Sequence, residues 1–432
     1  MATVTIKKTQ KLSGQICAPS SKSYTQRIVI AAALSDGTSK VSNPLLSEDT
    51  EAAMRAVSAL GAKVKVSEDC WTIKGTLPLK GSKEPIDCGE SGATLRFMIP
   101  VAALAKGPST LVFRGSIDKR PVEPLLESLK DFGANAHVGK LGEKDAVYVE
   151  GGGIAGGETS IRGDVSSQFI SGLMFACPMA KVDTEIMLTS PLESEDYVKM
   201  TQAVLADHGV KVPTHDNHIH IPSNQTYMPA DSRVPGDFSS AAFLLAAAAI
   251  TNSKIQVNNL DYSSIQGDKA IMGFLKHMGV NGKVCEDSVE IEGSGNMLKP
   301  VEVDAKNILD LVPAITVLAC YAKGISHIFG ARRLRIKESN RLESLYLELS
   351  KMGAQISLKE DGLIIEGDSP LHGAEIDPHN DHRIAMACSV AALRAEGKTT
   401  IQNAACVRKS YPQFFTHLKQ VGADVVGGEF NR

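Results

Sequence analysis

One short phrase recurs six times along this chain, each time where an apolar helical pattern ends. An apolar residue or His is followed by Gly and then by a small residue. The copies are Leu60-Gly61-Ala62, Phe132-Gly133-Ala134, His208-Gly209-Val210, Met278-Gly279-Val280, Met352-Gly353-Ala354 and Val421-Gly422-Ala423. Successive glycines lie 72, 76, 70, 74 and 69 residues apart in a chain of 432. Such even spacing means a repeat architecture, in which each unit buries its apolar face against its neighbours. Each Gly suits the position just past a helix end, where the left-handed conformation costs it nothing.

A second phrase precedes each glycine: small polar residues open an Ala-rich apolar helix. Ser20-Ser21-Lys22-Ser23 precedes IVIAAAL, Glu90-Ser91-Gly92-Ala93-Thr94 precedes a run ending VAALAKG, and Ser166-Ser167-Gln168 precedes FISGLMFA. Gly236-Asp237-Phe238-Ser239-Ser240, Asp310 and Asn380-Asp381-His382-Arg383 open the other three. These helices are apolar nearly all round, so each is expected inside the fold. A β-like stretch follows, for example Thr110 to Phe113 or Thr399 to Ile401. A second, amphipathic helix then runs to the glycine. Leu342, Leu345, Leu349 and Met352 share one stripe of it in the fifth copy, and Pro124 opens it in the second. Each unit therefore reads as helix, strand, helix and further strands, an α/β fold. Three units make about 215 residues, a plausible domain. The turn-rich Pro229 to Pro235 segment marks the expected boundary.

Composition removes several alternatives. Hydrophobic residues at 43% and charged residues at 22% are ordinary globular usage. A net charge of −3 argues against a generic nucleic-acid binder. The strongest apolar run, Phe243 to Ile250, is too short to span a bilayer. The start, MATVTIKKTQ, has no apolar signal core, so a cytoplasmic location is expected. The eight cysteines form no CxxC pair and read as reduced thiols. The histidines show no paired ligand spacing, so no metal is implied.

Helix starts carry unpaired N–H groups and a partial positive charge. If the repeats are pseudo-symmetric, three starts per domain gather at one end, and two such ends facing each other form a cleft for anions. Cations sit in or beside the same phrases: Lys22, Arg27, Arg96, Arg120, Lys337, Arg341, Arg383 and Lys409. The densest segment, Arg333 to Arg341, holds four cations and one acid, Glu338. Cations are unfavourable at a helix start unless an anionic ligand offsets the repulsion. Glu338 among them is expected to be ionised until a ligand raises its pKa. Asp310 is either a simple helix cap or a functional acid.

The ordered segments SKSYTQR, ESGATLR, KRPVEPLL, GDVSSQF, SEDYV, VPGDFSSAAF, the Asp310 segment, RIKESNR, NDHR and RKSYP resemble the 5-enolpyruvylshikimate-3-phosphate synthase family over essentially the whole chain. The resemblance implies a two-domain inside-out α/β barrel of six βαβαββ-type repeats, three per domain, around buried parallel helices. It implies a split first domain of residues 1–19 plus 234–432, a second of residues 20–233, and an active site in a cleft between them that closes on substrate. The implied reaction joins phosphoenolpyruvate to shikimate 3-phosphate and releases phosphate through a tetrahedral intermediate. It needs neither metal nor organic cofactor. Opposed acid and base groups are required for the two proton transfers.

Carried over by position, Lys22, Ser23, Arg27, Ser166, Ser167, Gln168, Ser194, Asp310 and Lys337 are similar to the residues that hold shikimate 3-phosphate, with Tyr197 packing beside Ser194. Lys22, Gly92, Arg120, Gln168, Arg341, Arg383 and Lys409 are similar to those that hold phosphoenolpyruvate. Asp310 resembles the family's proton acceptor for the 5-hydroxyl and Glu338 its proton donor; Lys22, near both substrates, completes the catalytic set. Departures from the common pattern are Glu90 for Asn, Ala93 for Thr, Glu195-Asp196 before Tyr197, Asn340 for Asp, and Arg333 where a smaller polar residue is usual.

Two rival readings share some of these features. The UDP-N-acetylglucosamine enolpyruvyl transferase shares the repeat fold but typically has Lys-Asn where this chain has Lys22-Ser23. It usually carries a loop Cys before the Arg-Pro pair, and the segment Arg114 to Lys119 has none. A non-catalytic repeat protein binding nucleic-acid phosphates would use the same helix starts. Aromatics at 5% and a single Trp leave it few stacking platforms. The expectation is therefore a monomer acting on two small molecules, with no nucleic-acid or membrane partner.

Overall fold

The computed structural model describes residues 2–215, 217–293, 295 and 297–430. Twelve α-helices occur among them: α1 (Lys22–Ala33), α2 (Glu48–Ala59), α3 (Gly92–Ala103), α4 (Glu123–Asp131), α5 (Ser167–Ala176), α6 (Glu195–Asp207), α7 (Phe238–Ile250), α8 (Ile271–His277), α9 (Val312–Cys320), α10 (Arg341–Lys351), α11 (His382–Ala392) and α12 (Phe414–Gln420). The odd-numbered helices are the Ala-rich ones and are buried almost all round; in α7 every residue is buried. The even-numbered helices bury one stripe, so Leu342, Leu345 and Leu349 of α10 are fully covered. All six glycines of the recurring phrase have positive φ, from 75° to 113°, and each follows a helix end. The repeat read from the sequence is thus a repeat in backbone conformation.

The strands form six four-stranded sheets of one topology. In every sheet one edge pair is parallel and the next two pairings are antiparallel. In the last repeat Glu375–Ile376 runs parallel to Lys398–Ile401, which pairs antiparallel with Val4–Lys7, which in turn pairs with Val425–Val426. The register Val4↔Ile401 to Lys7↔Lys398 ties the start of the chain to its last repeat. Ser13–Cys17 likewise runs parallel to Lys254–Asn258. Alternation along the strands buries Val4 and Ile6 and leaves Lys7 outside.

The chain divides into two compact units, residues 1–20 with 235–432, and residues 21–234. Each has its own apolar core. In the first unit, α7, α9 and α11 pack on one another beneath their sheets. In the second, α3 packs on α5, while α1 packs on α2 and α6. The close approach of α3 and α5 has a local cause. Pro100 inside α3 supplies no N–H to the Arg96 carbonyl four residues earlier, and Gly172 of α5 comes against that carbonyl. A Cβ at Gly172 would sit 2.4 Å from the Arg96 oxygen. No helix among the described residues is long and apolar enough to cross a membrane.

Candidate active site

Side-chain caps open five of the six central helices. Ser21, Ser91, Ser166, Asp237 and Asp381 each accept a backbone N–H from the first turn that follows. The exception is α9, which follows a 3₁₀ turn over Leu309–Leu311 and has no side-chain cap. Asp310 is therefore not the simple cap that one reading of the sequence allowed.

Its carboxylate is instead the centre of a cation cluster in the first unit. Arg341 Nη1 donates to Oδ1 at 3.0 Å and Arg383 Nη2 to Oδ2 at 3.0 Å, with Lys337 Nζ at 3.9 Å. Arg383 also donates to the Asp310 carbonyl at 3.1 Å and to Ser239 Oγ at 2.8 Å. These contacts bring the starts of α7, α9 and α11 to one place. Arg341, at the start of α10 and only 1% exposed, donates to Glu338 Oε2 at 2.5 Å and to Asp381 Oδ2 at 2.7 Å. Asp381 also accepts from Ser339 Oγ and from the Arg383 N–H, so one buried carboxylate caps α11 and orients Arg341. Lys409 is buried and donates to the Asn380 carbonyl at 2.7 Å.

The electrostatics are lopsided. Burial pushes the Asp310 carboxyl up, but Arg383, Lys337 and Arg341 together pull it well below the usual carboxylate range. Burial pushes Lys337 down to about 8, against the opposing pull of Asp310. Burial also works against the charge on Arg341, yet Asp381, Glu338 and Asp310 hold it firmly protonated. The Asp310 side chain remains 19% exposed, so the cluster has an open side.

The second unit carries a cluster of its own at the starts of α1, α3 and α5. Gln26 of α1 donates to Ser91 Oγ and Thr94 Oγ1 at the start of α3, both at 3.0 Å. Arg96 of α3 donates to Gln168 Oε1 at the start of α5 at 2.8 Å. Lys22 Nζ donates to Asp49 Oδ2 at 2.8 Å. Gly92 lets a guanidinium approach closely: a Cβ there would be 3.0 Å from Arg120 Nη1. Ser166 and Ser167 flank Gln168 at the head of α5, Ser23 follows Lys22 in the first turn of α1, and Ser194 opens α6 in a left-handed conformation. Arg27 is placed differently from its neighbours. Its guanidinium is buried beneath the helix start, donating to Thr201 Oγ1 and to the Ser23 and Tyr197 carbonyls, and burial pushes it down to about 10.

The candidate residues thus form two groups. Asp310, Lys337, Glu338, Arg341, Arg383 and Lys409 lie in one unit; Lys22, Ser23, Arg27, Gly92, Arg120, Ser166, Ser167, Gln168 and Ser194 lie in the other. Sequence reasoning missed Asp49, Asp381 and Ser239 as partners of the candidate cations. A cation at a helix start needs a counter-charge, and that need was the available signal. Among the described residues no group of three or more His, Cys, Asp or Glu side chains is arranged to hold a metal ion.

Residues 6–418 match the family EPSP synthase (3-phosphoshikimate 1-carboxyvinyltransferase). The chain belongs to the EPSP synthase family. A relative named 3-phosphoshikimate 1-carboxyvinyltransferase, from Methanocaldococcus jannaschii, is 44% identical over 423 residues, covering 97% of this chain and 98% of the relative. The solved EPSP synthase of Acinetobacter baumannii superposes with a TM-score of 0.83 at 27% identity, over 99% of each chain. The enolpyruvyl transferase NikO of Streptomyces tendae, at 18% identity and a TM-score of 0.81 over 98% of each chain, shares the fold. Within the EPSP synthase framework the six equivalent sheets and central helices are the inside-out α/β architecture. The loop cysteine usual in the rival transferase is absent from Arg114–Lys119. Cys88 is fully buried, and that burial pushes its thiol up to about 12.

Proposed function

We propose that this chain transfers the enolpyruvyl group of phosphoenolpyruvate to the 5-hydroxyl of shikimate 3-phosphate, giving 5-enolpyruvylshikimate 3-phosphate and phosphate, as a step of aromatic amino acid biosynthesis. The observation that carries the reading is the Asp310 carboxylate held by two arginines and a lysine where three central helices begin. A protein that gathers cations at helix starts is organised for anions, and both substrates are polyanions.

The roles follow from the chemistry. Lys409, Arg341, Arg383 and Arg120 hold the phosphate and carboxylate of phosphoenolpyruvate, with Gly92 leaving room. Lys22, Ser23, Ser166, Ser167, Ser194 and Lys337 hold shikimate 3-phosphate, Arg27 braces Ser23 and Tyr197 from beneath, and Gln168 reaches both substrates. Asp310 accepts the 5-hydroxyl proton as that oxygen attacks the enol carbon, and Glu338 delivers a proton to the methylene. The tetrahedral adduct then loses a methyl proton and its carbon–oxygen bond to phosphate breaks, which restores the double bond. An ion-paired Asp310 is a weak base. Substrate anions that compete for Arg341 and Arg383 loosen that pairing and raise its basicity, so substrate binding itself arms the base. The enzyme works as a cytoplasmic monomer.

The test is to follow phosphate release with both substrates and with each omitted in turn. Release that needs both supports the reading. Release from phosphoenolpyruvate alone, or none with the pair, refutes it.

A further inference from the structure

Just before the start of α11 the chain makes a tight turn. The Asp381 N–H donates to the Pro378 carbonyl at 2.8 Å, and the two residues between, His379 and Asn380, have φ of 52° and 55°. Two positive-φ central residues are the mark of a type I′ turn, which favours Asn and Gly. A histidine in that conformation is strained and persists only where its surroundings over-determine it.

Both side chains are in use. His379 Nε2 lies 3.0 Å from Glu348 Oε1, and Asn380 Oδ1 accepts from Asn403 Nδ2 at 3.3 Å. Glu348 projects from α10 with its side chain 1% exposed. Its Oε2 accepts the Asp377 N–H at 3.1 Å, and Lys351 Nζ donates to both of its oxygens. A buried carboxylate thus grips the backbone just before the turn and the imidazole within it.

The far side of the turn meets the cation cluster. The Asn380 carbonyl takes Lys409, and the next residue, Asp381, takes Arg341 and the Arg383 N–H. Two cations assigned above to phosphoenolpyruvate, Lys409 and Arg341, are therefore referenced to two adjacent residues of one strained turn. We infer that the Glu348–His379 contact is a positioning clamp: it holds the 378–381 turn in its left-handed form so that Lys409 and Arg341 are set for phosphoenolpyruvate. The inference rests on the proposed function for its substrate.

The test compares wild type with His379→Ala and His379→Gly. The His379 side chain is 33% exposed, so both variants are expected to fold. Alanine removes the imidazole and keeps the backbone penalty; glycine removes both. In the phosphate-release assay His379→Ala raises KM for phosphoenolpyruvate about tenfold and His379→Gly no more than about threefold, while KM for shikimate 3-phosphate stays within about twofold in both. A phosphoenolpyruvate KM within about twofold of wild type in His379→Ala, or both KM values rising together, overturns the clamp. Hydrogen exchange at the Asp381 amide gives a readout independent of activity. Exchange about tenfold faster in the alanine variant supports the clamp, and unchanged exchange overturns it. Should wild type release no phosphate, the transfer reading fails and the exchange measurement alone decides the clamp.

Discussion

At the scale of single residues, the candidate site is set by charges that balance one another across distant segments. Lys337 sits beside Asp310 and yet burial pushes it down to about 8. Raising the pH above that value removes a cation from an anion site. We therefore expect kcat/KM for shikimate 3-phosphate to fall above about pH 8, by up to tenfold per pH unit. In Lys337→Arg the guanidinium keeps its proton, so the limb should move to higher pH; a limb that stays in place would remove Lys337 as its source. How much of this was legible in the sequence depends on the residue. The cations stood out because positive charge is unfavourable at a helix start, and Glu338 because it sits among them; Asp310 was an acid that a helix cap would equally explain. Asp49, Asp381 and Ser239 did not. They look like ordinary helix-start residues, and their partners Lys22, Arg341 and Arg383 lie in other segments. The imidazole of His379 was equally silent, because a strained φ leaves no trace in composition.

At the scale of elements, the recurring glycine announced the helix ends, and the polar phrases announced most of the starts. α10 begins at Arg341, so Lys337 and Glu338 precede it rather than open it. Pairing was less readable: nothing in the spacing joins Val4–Lys7 to Lys398–Ile401, because a strand's partner is chosen by the whole fold. Gly172 likewise gives no sequence sign that it faces the Arg96 carbonyl. Gly172→Ala should destabilise the protein by about 1–3 kcal/mol through overpacking, read from the urea midpoint. Gly273→Ala, in the exposed interior of α8 with nothing within 4 Å of an added Cβ, should instead stabilise by about 0.5–1 kcal/mol. Equal effects of the two would contradict the packing account. α12 supplies an acid-sensitive joint. His417 Nδ1 lies 2.8 Å from the buried Tyr411 hydroxyl, and burial pushes the imidazole down to about 4. Between that value and the ordinary 6.5 the unfolded chain binds the extra proton. Stability present above pH 6.5 is therefore lost as the pH falls toward 4, by about 3 kcal/mol. His417→Asn should flatten the melting temperature across that window; an unchanged slope would assign the acid sensitivity elsewhere.

At the scale of the whole molecule, six copies of one topology place six helix starts in two groups of three, and each group is tied together by its own cations and amides. In the proposed reaction Asp310 is the base. Asp310→Asn tests that most directly, because it removes the ionised carboxylate and keeps its shape. Turnover is measured as phosphate release at saturating phosphoenolpyruvate and shikimate 3-phosphate, and binding of shikimate 3-phosphate is measured by calorimetry on the same preparation. Loss of that base should nearly abolish kcat with binding retained. A variant that keeps more than about a tenth of kcat, a barrier change below about 1.4 kcal/mol, would contradict it.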